Sequence, residues 1–129
     1  MTFETVYLDK QGWNVDFLLD VICDDAAYIA RWLAGMGAGD RFTQLAKDKT
    51  QCSRNVGMTY TNMLTRETLV VVGRSEDPSE VVNTLSHEAM HAVMHITEAL
   101  GLDPYGEEPC YIMGRLMGEV APAFLKLLG

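Results

Sequence analysis

The sequence predicts a single α+β domain spanning residues 1–129, a small antiparallel or mixed sheet packed on helices. Three observations point there. Residues 13–21, WNVDFLLDV, alternate with a period of two. Residues 56–73 hold two runs rich in β-formers on either side of a short turn. Residues 78–100 form a long amphipathic stretch with a start signal before it and a glycine after it.

Taken in chain order, TVYL (5–8) is a short strand and DKQG (9–12) the turn of a hairpin. In the second strand, Trp13, Val15, Phe17, Leu19 and Val21 share one face. Asp24 or Asp25 caps a helix to about Leu33, with Ala26, Ile29, Ala30 and Leu33 as its apolar stripe. GMGAG (35–39) ends it, and a short helix runs from Asp40 to about Lys49. VGMTYTNM (56–63) and ETLVVVG (67–73) form a second hairpin around LTR. Asp77 caps the long helix, Pro78 takes its first position, Glu80 completes a capping-box-like start, and Gly101 stops it. EEPCYIMGRLMGEV (107–120) is a last helix that Pro122 should break or kink.

Composition excludes several classes. A hydrophobic fraction of 48% is too high for a disordered chain. A net charge of −8 argues against nucleic acid or an anionic membrane as partner. No apolar run is long enough to span a bilayer, and MTFETVYLDKQGW lacks the basic start and apolar core of a signal peptide. Cys23, Cys52 and Cys110 are odd in number and widely spaced, which reads as three free thiols in a reducing, cytoplasmic setting.

All 3 histidines fall at positions 87, 91 and 95. On a helical wheel with His87 as its origin, His91 lies about 40° round, Glu98 about 20° and Thr84 about 60°. Leu85, Ala89, Ala92, Val93 and Ile96 lie opposite, between about 140° and about 240°. The histidine stripe and the core stripe therefore occupy different faces. His87 and His91, four apart, aim both rings at one point beyond the helix. With Glu88 between them they give HEAMH, an H-E-x-x-H match whose chance occurrence in this composition is on the order of a few in a thousand. Two imidazoles one turn apart can reach one Zn2+ at roughly 2.0–2.1 Å. Glu88, about 100° round the wheel, is placed to act on a water there. Zinc lowers the pKa of such a water to about 7, and Glu88 is the general base that takes its proton. The plain alternative is a pair of surface histidines on a solvated face.

His95 lies about 12 Å along the axis from His87 and cannot converge with it on one ion across an unbroken helix. It reads as a supporting or pocket residue, or as simply exposed. A third ligand is then expected from the following helix, with Glu108 the first choice and Glu107 the second. The plain role for both is to favour a helix N-terminus. Glu98 is two turns too far, and Asp103 reads as a helix cap. Tyr111, or Tyr105 in the loop, is the candidate group for stabilising an oxyanion. Gly114 and Gly118 would let the last helix approach another closely, and Met90 and Met94 read as pocket or core filler.

HEAMH followed by a carboxylate on a downstream helix resembles the zincin metallopeptidases, and a third Glu ligand resembles their gluzincin branch. The resemblance implies a minimal zincin-like domain with a central H-E-x-x-H helix. It implies zinc on His87, His91 and Glu108 (or Glu107), with Glu88 as catalytic base. The hairpin before the motif helix resembles the zincin sheet, whose edge strand binds extended peptide. The segments VGMTYTN, RETLVVVG, LSHEAMHAVMHI and EEPCYIMG also resemble small metallopeptidases of phages and bacterial mobile elements. The function expected is thus zinc-dependent hydrolysis of a peptide or protein substrate. The alternative is a zinc-binding, non-catalytic interaction module of a phage or mobile element. Oligomeric state is not legible in the sequence.

Overall fold

The alternation of WNVDFLLDV becomes a strand, Trp13–Val21 (β2), that anchors the sheet. The computed structural model describes residues 1–49 and 57–129, with side chains for 1–44 and 57–129. Val56 and Cys52, read above as strand and free thiol, lie outside the described residues. The other elements are β1 (Thr2–Leu8), a 3-10 turn (Cys23–Asp25), α1 (Ala26–Gly35), α2 (Asp40–Lys49), β3 (Gly57–Asn62), β4 (Glu67–Gly73), α3 (Pro78–Leu100) and α4 (Glu107–Leu128).

The molecule is α+β, with a four-stranded mixed sheet in the order β1-β2-β4-β3. β1 and β2 form one antiparallel hairpin and β3 and β4 the other. The hairpins join through parallel pairing of β2 with β4. The two central strands are covered on both faces, which is why β4 reads as a continuous run, LVVV, rather than as an alternation. On one face Trp13, Val15, Phe17, Val70 and Val72 pack against α3 and α4. On the other Leu18, Leu69 and Val71 pack against Ile29 and Leu33 of α1. β3 is left as an edge strand, and α3 packs across β3 and β4.

The signals at the start of α3 act nearly as read. The Asp77 carboxylate accepts from the Ser79 amide at 3.0 Å, and Gly101 closes the helix at a left-handed φ of 64°. The expected return bond from Glu80 is relayed: Ser75 Oγ donates to Glu80 and accepts from the Asp77 amide. Asp25, rather than Asp24, secures the entry to α1 by accepting from the Ile22 amide at 2.9 Å.

Four expectations need correction. Pro122 does not end the last helix, which continues to Leu128. Pro122 itself is exposed, while Ala123 and Phe124 are buried against the core, and that burial outweighs the lost backbone bond. Gly114 and Gly118 face open space and bring no second helix close. Asp103 does not cap α4; its carboxylate accepts from the Tyr105 amide within the loop, and Gly106 is the N-cap. Cys23 is disulfide-bonded, while Cys110 is free and exposed, so cysteine content no longer argues for a reducing compartment. Among the described residues no helix is long and apolar enough to cross a membrane.

β2 carries an irregularity between Leu18 and Val21, where Asp20 adopts a φ of 58°. Its carboxylate meets Arg74, just past β4, through two bonds of 2.8 and 2.9 Å. The Arg74 guanidinium holds the Asp20 carboxyl below its ordinary range. The pairing therefore adds stability above the unfolded carboxylate pKa of about 3.9, and that stability is lost as pH falls towards the lowered value. Asp20→Asn should lower the urea midpoint at about pH 6, and the gap to wild type should narrow as pH falls below about 3.9. Parallel curves for the two proteins across that range would contradict this role.

Candidate metal and catalytic site

The site grows out of one close contact, between the edge strand β3 and the helix α3. Gly57, Thr59 and Thr61 alternate onto the face of β3 that meets α3. A Cβ on Gly57 would stand 2.6 Å from both Glu88 Cγ and Thr84 Cγ2, so only glycine lets the strand lie this close. Thr59 Oγ1 lies 2.9 Å from Glu88 Oε1 and 3.0 Å from the Glu88 main-chain oxygen. Two turns further along the helix, Thr61 Oγ1 meets His95 Nδ1 at 2.8 Å.

This contact sets a gradient of exposure round the helix. Leu85, Ala89, Ala92, Val93 and Ile96 are buried in the core, as the wheel predicts. Glu88 and His95, about 100° and about 80° round the same wheel, sit beside β3. Glu88 is only 8% exposed, and His95 is half-buried. His87, at the origin of the wheel, and His91, the next round from it, are exposed. Burial pushes the His95 imidazole below its usual pKa; a charged His91 pushes the same way, and Glu98 opposes them.

His87 Nε2 and His91 Nε2 lie 3.2 Å apart, with the rings edge to face. Two nitrogens bound to one tetrahedral zinc at about 2.0–2.1 Å would stand about 3.3 Å apart. The contact is a hydrogen bond between the two rings, and its length also matches the spacing of two ligands on one ion. The Glu88 carboxylate completes the arrangement. Its Oε1 is held by Thr59, and its Oε2 is turned towards the pair, 4.0 Å from His87 Nε2. A carboxylate anchored by one oxygen, with the other 4.0 Å from the His87 imidazole, is placed to accept a proton at that point.

The other sequence candidates stand elsewhere. Glu108 lies at the start of α4 but faces the β1–β2 turn, where Gln11 Nε2 donates to it at 3.0 Å and Lys10 Nζ stands 3.7 Å away. Glu107 is exposed. Tyr111 is 72% exposed on α4 and Tyr105 is fully exposed in the loop before it. Neither tyrosine joins the hydrogen bonds around His87, Glu88 and His91. Among the described residues no group of three His, Cys, Asp or Glu side chains is gathered to hold a metal.

On the other flank of the histidines lies an apolar pocket of about 500 Å³. Met90, Met94 and Thr97 of α3 line it together with Leu102, Pro104 and Pro109. The two methionines are therefore pocket walls rather than core.

Sequence reading missed Gly57, Thr59 and Thr61 as supports of the site, and behind them Thr68, whose Oγ1 lies 2.8 Å from Thr61 Oγ1, and Trp13, whose Nε1 donates to Thr68 at 2.9 Å. The signal for the first three was an alternation, Gly-x-Thr-x-Thr, in a strand close before the motif helix. The signal for Thr68 was a lone hydroxyl in an otherwise apolar strand.

The chain matches no family model, no curated protein and no solved structure.

Gly57→Ala should cost about 1–3 kcal/mol of stability, because the stiff Thr84 side chain and the strand-bound Glu88 leave no room for a methyl group. Chemical denaturation checks it. An unchanged midpoint would mean that β3 sits further from α3 than the 2.6 Å approach requires.

Proposed function

We propose that the protein is a zinc-dependent metallopeptidase acting on peptide or protein substrates, with His87 and His91 as metal ligands and Glu88 as general base. The observation that carries this reading is the 3.2 Å approach of the two Nε2 atoms beside the anchored Glu88 carboxylate. A bound zinc supplies Lewis acidity and makes a nearby water acidic enough to deprotonate near neutral pH. The chain's own part is defined by position. Glu88 Oε2 takes the proton of the attacking water and delivers it to the leaving amine. Thr59 fixes the direction of that carboxylate. β3 is an edge strand among the described residues and lies next to the histidines, where an extended peptide can add as a further strand.

Glu108 remains the proposed third ligand, and it would have to leave Gln11 and Lys10 to reach the pair. That engagement favours a second reading, a zinc-binding interaction module of a phage or mobile element with no hydrolytic activity. Tyr111 remains a proposed oxyanion donor on the same condition, that α4 shifts towards the histidines.

Protein purified without a histidine tag should carry about one zinc per chain, and His87→Ala should abolish it. Glu88→Gln should keep the metal but lose hydrolysis of a peptide library by about 10²-fold or more. Removing zinc with a strong chelator should lower the thermal midpoint, because the metal binds only the folded chain. Glu108→Ala separates the two readings. Loss of zinc affinity supports the peptidase with Glu108 as a ligand. Unchanged affinity together with undetectable wild-type hydrolysis supports the interaction module. Stoichiometric zinc with Glu88→Gln as active as wild type would remove Glu88 from the mechanism.

A further inference from the structure

A hydrogen-bond chain runs from the core of the sheet to the third histidine. Trp13 Nε1 lies 2.9 Å from Thr68 Oγ1, Thr68 Oγ1 lies 2.8 Å from Thr61 Oγ1, and Thr61 Oγ1 lies 2.8 Å from His95 Nδ1. Trp13 and Thr68 are both 0% exposed. The chain crosses three strands, β2, β4 and β3, and ends on α3.

Its direction follows from one end. An indole N–H can only donate, so Thr68 Oγ1 accepts from Trp13. The Thr68 hydroxyl then has one proton to place, with Thr61 Oγ1 its one remaining partner among the described residues. If Thr68 accepted from Thr61 as well, its own proton would be buried with no acceptor, which is unfavourable in a dry site. Thr68 therefore donates to Thr61, which leaves the Thr61 proton free for its other partner, His95 Nδ1. In that arrangement His95 Nδ1 accepts and carries no proton. The ring proton then resides on Nε2, on the opposite edge of the ring, away from β3.

From this polarity we propose that Trp13, Thr68 and Thr61 lock His95 in its Nε2–H form, as a hydrogen-bond donor to a substrate carbonyl oxygen rather than as a metal ligand. The proposal rests on the peptidase reading for the identity of the acceptor, but not for the tautomer. A nitrogen that carries a proton has no lone pair for a metal, and His95 Nδ1 is occupied by Thr61. His91 and His95 have ring centroids 6.2 Å apart, so an Nε2–H at His95 lies near His91, one of the two proposed ligands. There it provides what Tyr111, exposed on α4, does not: a donor fixed by the fold before substrate arrives. Thr61, Thr68 and Trp13 are positioning residues that act through it.

Long-range proton–nitrogen correlation spectra of metal-free, 15N-labelled protein at neutral pH read the tautomer directly. The expected result is a protonated Nε2 and an unprotonated Nδ1 at His95. A dominant Nδ1–H form would overturn the proposal. Thr61→Val, at a half-buried strand position, should leave the fold intact and give His95 a mixture of both forms; an unchanged pure Nε2–H signal would overturn the relay. Zinc stoichiometry should be the same in wild type, His95→Gln and His95→Leu, and loss of the metal in both variants would make His95 a ligand and refute the donor role. In peptide hydrolysis, His95→Leu should lower kcat by about 10²–10³-fold, with KM little changed. His95→Gln, whose amide can donate from a similar position, should recover part of that loss. Equal kcat in all three proteins would remove the substrate contact. If the wild type shows no hydrolysis, the peptidase reading and the carbonyl acceptor fall together, while the tautomer still stands or falls on the metal-free spectrum.

Discussion

The whole site depends on how closely an edge strand can lie against a helix. Strand and helix backbones are normally kept apart by the side chains between them. At Gly57 there is none, and the gap is filled from the other side by Glu88 and Thr84. The carboxylate that results is nearly buried, yet it is not stranded, because Thr59 supplies a donor from the same strand. The other polar contact between strand and helix follows in register. Thr59 meets Glu88 and Thr61 meets His95, so a two-residue step on the strand is matched to two turns of the helix. The candidate site residues are therefore graded by depth, from exposed histidines to a strand-bound acid, on a single helix.

Much of the scaffold was legible because the signals are local. The alternation of Trp13 to Val21 fixes a strand without reference to anything else. Asp77, Pro78 and Gly101 bound α3 because caps act on the adjacent backbone. The wheel sorted Leu85, Ala89 and Ile96 from His87 and His91 for the same reason, since helical periodicity is a short-range property. Pro122 misled because its local penalty was weighed without the burial of Ala123 and Phe124 that offsets it.

What was not legible is long-range. The parallel pairing of β2 with β4 is encoded in no local pattern, and it alone brings Trp13 to Thr68. Glu108 was chosen because a returning helix could carry it to the histidines; nothing in its own neighbourhood announced Gln11 and Lys10 as partners almost a hundred residues earlier. The Asp20–Arg74 pair was likewise invisible, because it depends on a strand irregularity and on the meeting of two hairpins. A motif names the chemistry of a few side chains. Which neighbours orient them is decided by pairings that only the folded sheet makes.

The parallel seam between the hairpins also governs the order in which the molecule can assemble. Each hairpin closes a short loop and needs little chain entropy, whereas β2 and β4 are about fifty residues apart and must close a large one. Contacts of that separation slow folding. Trp13 reaches Thr68 only after this closure, so the donor chain to His95 cannot form before the two hairpins have joined. The nascent chain can display HEAMH on a helix well before the sheet that orients Glu88 and His95 exists. Competence at this site is thus tied to a long-range closure of the sheet rather than to the formation of the motif itself.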